Sequence, residues 1–159
     1  MLAEKGKIRI WSSFAVALSI AGGAALWYQS APEAAEAEIT MYKSATCGCC
    51  KHWATHLRKA GFSVAALNRK DMNAIKAEYG VKSRLRSCHT AIVDGYVIEG
   101  HVPAADIRRL LREKPPILGL TAPGMPKKSP GMQPEGLPPK GYRVLSFDAR
   151  GATSVFTQY

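Results

Sequence analysis

Residues 38–50 read EITMYKSATCGCC, and this stretch decides the fold that we predict for the chain. Its first six residues alternate in the way that is typical of a β-strand. The cysteines that follow open a predicted helix, residues 47–60, whose apolar side chains recur at helical spacing. Thr46 is a suitable N-cap for this helix, and Gly61 is a suitable stop. The stretch therefore predicts a strand, a cysteine-bearing loop and a helix.

The same reasoning extends along the chain and predicts the order βαβαββα. We expect further strands at 62–67, 90–93 and 96–99, and helices at 71–79 and 103–112. Asp94 and Gly95 form a hairpin turn between the last two strands. This order favours a thioredoxin-like α/β fold with a central mixed β-sheet flanked by helices. In that arrangement the first two strands are parallel and the hairpin closes the sheet.

Two segments complete the predicted domain, which spans residues 38–159. Residues 114–141 are rich in proline and glycine, which predicts an irregular lid loop rather than a regular element. A loop of this length in a compact domain is usually functional or disordered. Residues 142–148 and 153–158 read as a C-terminal β-hairpin.

The first 37 residues have a different character. Lys5, Lys7 and Arg9 precede an uncharged stretch at 10–29, and Ala35-Glu36-Ala37 offers a small-x-small cleavage site. This pattern predicts either a cleaved export signal or an uncleaved N-terminal membrane anchor, since the apolar run is long enough to span a bilayer. In both cases the positive flank sends the remainder outward. We therefore expect a periplasmic domain, attached to the membrane only if the segment is retained.

The net charge of +10 belongs to the predicted domain, because the charges of residues 1–37 cancel. The basic residues are scattered and no nucleic-acid motif accompanies them. We therefore predict a solvated basic surface that attracts acidic partners, and no nucleic-acid partner.

Four cysteines, Cys47, Cys49, Cys50 and Cys88, all lie in the predicted exported part. An oxidising compartment favours structural disulfides. Disulfides usually join distant segments, however, because stabilisation grows with the loop that is closed. Three cysteines within four residues, two of them adjacent, are therefore better suited to bind metal or to exchange disulfides.

Cys47 and Cys50 have the C-x-x-C spacing at a helix N-terminus, where the helix dipole, with Lys43 and Lys51 nearby in sequence, stabilises a thiolate. A thiolate is both the nucleophile of disulfide exchange and the metal-binding form. The pair is thus a candidate catalytic redox pair as well as part of a candidate metal site.

Cys88 precedes the third predicted strand, and in a thioredoxin-like fold that loop lies against the C-x-x-C helix end. Soft thiolates that converge from two segments suit Cu(I), zinc or an iron-sulfur cluster. Thiolates that bridge several Cu(I) ions tolerate the crowding of Cys49 and Cys50 best. We therefore predict metal binding by all four cysteines.

Other side chains are weaker candidates for ligands. His52 and His56 are four residues apart on one helical face, but are more typical of surface or supporting residues. His89 would point away from Cys88 if both lay on a strand. His101 suits a ligand or a structural support equally. The thioethers of Met125 and Met132 in the lid loop are soft enough to bind Cu(I), and Trp53 is expected in the core.

Several motifs resemble one known family, the CopG-type periplasmic copper-resistance proteins. They are TCGCC at 46–50, SCHTA at 87–91, IEGHVP at 98–103, PGMP at 123–126 and SPGM at 129–132, together with Trp53, His56-Leu57, Gly61-Phe62 and Gly95-Tyr96. The resemblance covers nearly the whole predicted exported part. It implies a thioredoxin-like domain and a cysteine-bridged multi-copper centre at Cys47, Cys49, Cys50 and Cys88. It also implies a role in copper redox handling.

The leading hypothesis is a periplasmic copper(I)-binding protein of copper resistance that holds several copper ions and interconverts their oxidation states. Its partners would be copper ions and other periplasmic copper-handling proteins. A thiol-disulfide oxidoreductase acting on protein thiols is the alternative, with Cys47 attacking and Cys50 resolving. An iron-sulfur electron carrier is a third hypothesis.

Overall fold

A mixed β-sheet organises residues 38–159, the part of the chain that this computed structural model describes. The predicted export or anchor segment lies outside the described residues. The seven strands of the sheet have the order β2-β1-β3-β4-β5-β6-β7. The strands are β1 Glu38–Lys43, β2 Ser63–Asn68, β3 Thr90–Val93, β4 Tyr96–Glu99, β5 Gly119–Thr121, β6 Arg143–Phe147 and β7 Thr153–Gln158, and the α-helices are α1 Gly48–Lys59, α2 Met72–Glu78 and α3 Ala104–Glu113.

The first half of the sheet confirms the predicted order of elements. β1 pairs with β2 in parallel, with α1 as the crossover between them. β3 is antiparallel to β1 and to β4. The turn between β3 and β4 places Asp94 at φ 47° and Gly95 at φ 80°, which are the positive angles that a tight hairpin turn requires. The predicted α/β class with a mixed sheet is therefore correct.

The hairpin does not close the sheet, which is a correction to the prediction. β5 pairs with β4 in parallel and lies within the segment predicted to be entirely a loop. Gly119 makes this pairing possible, since a Cβ there would lie 1.8 Å from the carbonyl oxygen of Val97. Leu120 is fully buried. The prolines around this short strand hid its apolar pattern, and the rest of the predicted lid loop is irregular.

The C-terminal hairpin is present, as predicted, and extends the sheet beyond β5. β6 pairs with β5 and β7, with an irregularity in register between Val144 and Leu145. Asp106 of α3 ties the hairpin down, because its carboxylate accepts hydrogen bonds from Thr157 Oγ1 (2.5 Å) and from the Tyr159 hydroxyl (2.9 Å). The C-terminal strand is thereby fixed to the helix that follows the candidate site.

The main core lies between one face of the sheet and helices α1 and α3. Trp53 and Leu57 of α1, Ile107 and Leu110 of α3, and Ile98 of β4 are all fully buried. Full burial of a large apolar side chain contributes about 1.5–3 kcal/mol. Trp53, predicted in the core, also donates from its indole nitrogen to the carbonyl of Val102 at 2.8 Å. The start of α1 is thus held against the segment that follows β4.

The N-cap of α1 differs from the prediction. Cys47, not Thr46, occupies that position, and no side chain caps the helix. Thr46 is exposed, and its hydroxyl lies 3.5 Å from the hydroxyl of Ser44 instead. The free amides of the first helical turn therefore lie at the cysteines, which is the position where a helix dipole stabilises negative charge.

Candidate metal centre

Two loops at the same edge of the sheet bring the four cysteines together. Cys47, Cys49 and Cys50 follow β1 at the start of α1, and Cys88 precedes β3, which is paired with β1. The Cys88 sulfur lies 3.6 Å from that of Cys50 and 3.9 Å from that of Cys49. All four sulfur atoms lie within 4.8 Å of one another. The convergence that the fold prediction implied is therefore present.

Cys47 and Cys50 are joined by a disulfide, whereas Cys49 and Cys88 are free thiols. This pairing is one that the C-x-x-C spacing allowed. All four sulfurs can bind one metal centre only after this bond accepts two electrons, because the ligand form of cysteine is the thiolate. The cluster thus combines one disulfide with two free thiols.

Burial governs the protonation of Cys88. Loss of solvent raises the pKa of the Cys88 thiol to about 12, and the nearby Cys49 adds to the effect. Cys88 is consequently protonated at neutral pH in the metal-free state. Binding a metal there must displace a proton, as is usual for cysteine ligands.

The side chain of Lys43 is buried, and its ammonium group donates to the Ser44 carbonyl (3.1 Å) and to Asn68 Oδ1 (2.9 Å). The Ser44 carbonyl also accepts the Cys47 amide at 3.2 Å. Stabilisation of a thiolate by Lys43 stays a prediction. Lys51 is exposed in the first turns of α1.

Two histidines, His89 and His101, lie within hydrogen-bonding distance of the Cys88 sulfur. The expectation that His89 points away from Cys88 is wrong, since its Nδ1 lies 3.3 Å from the Cys88 sulfur. The reason is that both residues precede β3 and do not follow strand alternation. His101 Nε2 lies 3.1 Å from the same sulfur. Cys88, His89 and His101 thus form a second group of potential ligand atoms within 4.8 Å.

Both histidines are neutral at physiological pH. Burial lowers the pKa of His89 well below its usual value, and the neighbouring His101 and Lys76 add to this effect. Burial also lowers the pKa of His101, although its bond to the Pro130 carbonyl opposes the shift. Neutral imidazole is the form that binds metal.

The lid loop contacts both cysteine-bearing segments. The amide of Gly124 donates to the Arg86 carbonyl at 3.0 Å, beside the Cys88 loop. A Cβ on Gly131 would lie 2.9 Å from the Cys49 carbonyl oxygen, so this glycine rests directly on the start of α1. Met125 is 57% exposed and Met132 is half-buried. Their ligation of copper stays a prediction.

His56 is a structural support, which was the expected alternative to a role as a metal ligand. Its Nε2 accepts a hydrogen bond from the Ala104 amide at 3.2 Å, at the start of α3. That bond occupies the nitrogen lone pair, because the other nitrogen then carries the proton. His52 is exposed beside it, on a cleft of about 1050 Å³ between α1 and the lid loop.

A buried ion pair that the sequence analysis missed holds the Cys88 loop in place. Lys76 Nζ lies 2.6 Å from Glu99 Oε1, and the same oxygen accepts the Ser87 amide at 2.6 Å. Thr90 Oγ1 donates to the other carboxylate oxygen at 2.7 Å. Burial raises the pKa of Glu99, while Lys76 opposes the shift. In the sequence, Lys76 on the inner face of α2 was the signal that could have indicated this ion pair.

Comparison with solved structures identifies the family. Two structures, both named copper resistance protein CopG (form 2 and form 1), are 42% and 43% identical to this chain, with TM-scores of 0.72 and 0.70. The alignments cover 78% and 77% of this chain and 98% and 96% of those proteins. The chain belongs to the CopG family.

Two further comparisons complete this assignment. Residues 85–132, which include Cys88 and most of the lid loop, match a protein-family model described as a protein of unknown function, DUF411. A search of curated proteins finds no match. Membership of the CopG family accounts for the α/β fold, and the four-cysteine cluster of this member is a group that could hold a metal ion.

Proposed function

We propose that this chain binds several copper(I) ions through Cys47, Cys49, Cys50 and Cys88, and that it serves copper resistance. The observation that carries the proposal is the position of the Cys88 sulfur, 3.6 and 3.9 Å from those of Cys50 and Cys49. Four thiolates from two loops form a soft donor set, which Cu(I) prefers. The CopG relatives are named for copper resistance, and this name supports copper among the soft metals.

The crowding of the sulfurs favours several bridged copper ions over one zinc ion. A structural zinc site has four tetrahedral ligands, usually from two separated C-x-x-C pairs. Here Cys49 and Cys50 are adjacent, and Cys88 is a single cysteine from the second loop. When each thiolate bridges two Cu(I) ions, the four sulfur atoms need not form a tetrahedron around one ion.

The helix end compensates the charge of the thiolates, and copper binding displaces a proton from Cys88. The uncapped amides of α1 lie at the cysteines, where they offset thiolate charge. The Cys88 thiol loses its proton when copper binds, because burial keeps it protonated beforehand. Full loading requires an external reductant that supplies two electrons to the Cys47–Cys50 disulfide, which gives two cysteine ligands.

Anaerobic loading tests this proposal. The reduced protein is titrated with Cu(I), freed of excess metal, and analysed for copper per chain. We expect more than one ion per chain, and a lower count for Cys88→Ser. Thr46→Ala, which changes an exposed neighbour of the cluster, is the control and should load fully. At most one copper per chain would refute the multi-copper centre, and an unchanged count in Cys88→Ser would refute Cys88 as a ligand.

Interconversion of copper oxidation states is the finer part of the proposal. Its support is the Cys47–Cys50 disulfide beside two free thiols, a group that can exchange electrons. The test is voltammetry of the copper-loaded protein. Reversible oxidation in the wild type supports the proposal, whereas a centre that is silent over the accessible potentials contradicts it.

The same disulfide favours a second candidate function, thiol-disulfide exchange with protein thiols. Cys47 is half-buried at the N-cap of α1, while Cys50 is fully buried, as expected of an attacking and a resolving cysteine. This function predicts turnover with a protein disulfide in the presence of a copper chelator, and its retention in Cys88→Ser. Absence of metal-free turnover would exclude it.

An exported location and an acidic partner complete the proposal. We infer export to the periplasm from residues 1–37, which carry the predicted signal or anchor. Among the described residues, no helix has the length and apolar character needed to cross a membrane. Three segments near the cysteines, residues 39–70, 79–93 and 114–134, contain no aspartate or glutamate. Such a surface repels a bare copper ion but attracts an acidic copper-handling protein.

A further inference from the structure

The cleft of about 1050 Å³ between α1 and the lid loop has the length of a short peptide segment. Its α1 wall runs from His52 to Ala60, and its lid wall runs from Pro130 to Pro139. An α-helix rises about 1.5 Å per residue, so the α1 wall is about 12 Å long. An extended chain covers that distance in about four residues.

Most of the lining of this cleft is apolar. Leu137 of the lid wall is 55% exposed, and Met132 is half-buried on the same wall. Three prolines of the lid loop, Pro130, Pro134 and Pro139, also line the cleft. Exposed apolar side chains that gather on a concave surface are typical of a binding site.

Two polar side chains of the lining have hydrogen-bonding atoms to offer. The Nε2 of His56 accepts the Ala104 amide, so Nδ1 carries the proton and can donate it from the wall of the cleft. The side-chain nitrogen of Gln133 donates to the carbonyls of Leu137 (3.0 Å) and Pro138 (3.2 Å), which leaves its Oε1 to accept. One donor and one acceptor match the carbonyl and the amide that every extended peptide presents.

The surface around the cleft is positive. Residues 39–70 contain no acidic residue, and residues 114–147 contain Glu135 alone. Glu135 pairs with Lys59, and both line the cleft. This bond lowers the pKa of Glu135, so its charge and that of Lys59 cancel at neutral pH. Lys51 and Lys140, each next to a lining residue in the chain, are exposed. Carboxylates on an occupant would therefore complement this surface.

The lid wall of the cleft is also in contact with the loops that surround the cysteines. The Pro130 carbonyl accepts a hydrogen bond from His101 Nδ1 at 2.7 Å. A Cβ on Gly131 would lie 2.9 Å from the Cys49 carbonyl oxygen. An occupant of the cleft would thus lie against the same segment that covers the start of α1.

We propose that this cleft docks an extended segment of an acidic partner protein, whose apolar side chains enter the cleft and whose carboxylates meet the cations around it. The inference rests on the proposed function, because it gives a docking site to the acidic copper-handling protein proposed above. A second copy of this chain is a poor occupant, since two chains of charge +10 repel each other.

Two synthetic peptides test the chemistry of the occupant. Both are acetylated and amidated hexapeptides, one alternating leucine with aspartate and the other alternating leucine with lysine. Each is titrated calorimetrically into the metal-free full-length protein in mild detergent at low salt, with detergent alone as the blank. We expect the aspartate peptide to bind, and the lysine peptide to bind about tenfold more weakly or less, because like charges oppose docking.

A matched pair of charge substitutions tests the location. Leu137 and Val155 are apolar and almost equally exposed, at 55% and 54%, but Val155 lies on β7 and does not line the cleft. Leu137→Glu should weaken binding of the aspartate peptide by about tenfold or more, because it removes an apolar contact and repels the carboxylates. Val155→Glu makes the same change in net charge and should bind as the wild type does. Thermal unfolding establishes that both variants are folded.

The outcomes separate this inference from the proposed function. Failure of the aspartate peptide to bind the wild type overturns the docking site, as does equal binding of the lysine peptide or equal loss in the two variants. Binding of the dye anilinonaphthalene sulfonate without binding of peptide would assign the cleft to a small organic anion and would also overturn it.

Copper loading of the same preparation is counted separately. A protein that holds several copper ions but binds no peptide refutes the docking site alone, whereas a protein that holds no copper refutes the proposed function. The peptide titration needs no metal, so it decides the role of the cleft in either case.

Discussion

At the scale of single residues, the position of Cys88 depends on a buried charge that is not itself part of the candidate metal site. Glu99 accepts the Ser87 amide and pairs with Lys76, both at 2.6 Å, and each charged side chain is at most 5% exposed. Breaking a buried pair by removing one partner costs about 3–5 kcal/mol, because the other charge is left uncompensated. The pair thus makes the Cys88 loop sensitive to a substitution on α2.

We therefore predict that Lys76→Met lowers the free energy of unfolding by about 3–5 kcal/mol at neutral pH. The double variant Lys76→Met with Glu99→Gln should recover much of the loss, since no buried charge remains. Burial already raises the pKa of Glu99, and loss of Lys76 raises it further. Protonation then favours the folded state, so the defect should shrink as the pH falls through that raised value. Denaturant unfolding at neutral and acidic pH measures both effects; equal stability of the two variants would contradict the prediction.

At the scale of elements, Gly131 allows the lid loop to lie against the start of α1. Gly131 has φ +84°, and a Cβ there would lie 2.7 Å from the Trp53 amide nitrogen and 2.9 Å from the Cys49 carbonyl oxygen. Gly136, in the same loop, has φ +82° but no atom within 4 Å of a Cβ. The two glycines share a backbone conformation and differ only in contact, which makes them a matched pair.

Gly131→Ala should lift the lid loop from the start of α1, whereas Gly136→Ala should impose similar backbone strain without doing so. Under the proposed function, we expect Cu(I) to pass to an excess of a soluble chelator faster from Gly131→Ala, by about tenfold or more if the lifted contact contributes about 1.4 kcal/mol to the barrier. Stopped-flow absorbance of the chelator complex measures the rate. Equal rates in the two variants would show that the lid loop does not control access.

At the scale of the whole molecule, the distribution of charge suits the approach of an acidic partner. The chain has a net charge of +10, and residues 39–70, 79–93 and 114–134 carry cations but no acidic residue. Glu99, which lies beside the Cys88 loop, is fully buried and paired with Lys76. Lys51, Lys127 and Lys128 in these segments are exposed. Exposed charges act over about 10 Å at 0.1 M salt, so they influence encounter more than the final complex.

We predict that copper transfer from an acidic donor protein slows as salt rises. At low salt, transfer to Lys127→Glu should be slower than transfer to the wild type. Arg112→Glu is the control, because this exposed residue lies at the far end of α3, next to the Lys114 that pairs with Asp94 in the β3–β4 turn. Transfer kinetics followed at several salt concentrations provide the measurement. Equal effects of the two charge reversals would show that net charge, and not the surface around the cysteines, governs encounter.

The sequence by itself determined the elements whose signals are local. Strand alternation before Cys47, helical spacing from Cys50 to Leu57 and the Asp94-Gly95 turn each depend on neighbouring residues, and the structure contains the elements that they predicted. The cysteines at the start of α1 follow from the same local pattern. Local signals failed where a contact across the sheet overrides them. β5 exists among prolines because Gly119 fits against Val97, a residue 22 positions earlier in the printed sequence.

Only the tertiary structure decided what surrounds Cys88. His89 lies beside it because the chain has not yet entered β3, and His101 reaches it because the hairpin folds the loop after β4 back onto the loop before β3. Lys76 meets Glu99 across two elements for the same reason. The physical cause is that such contacts depend on strand pairing and burial summed over distant residues, whereas periodicity and spacing report only on neighbours along the chain.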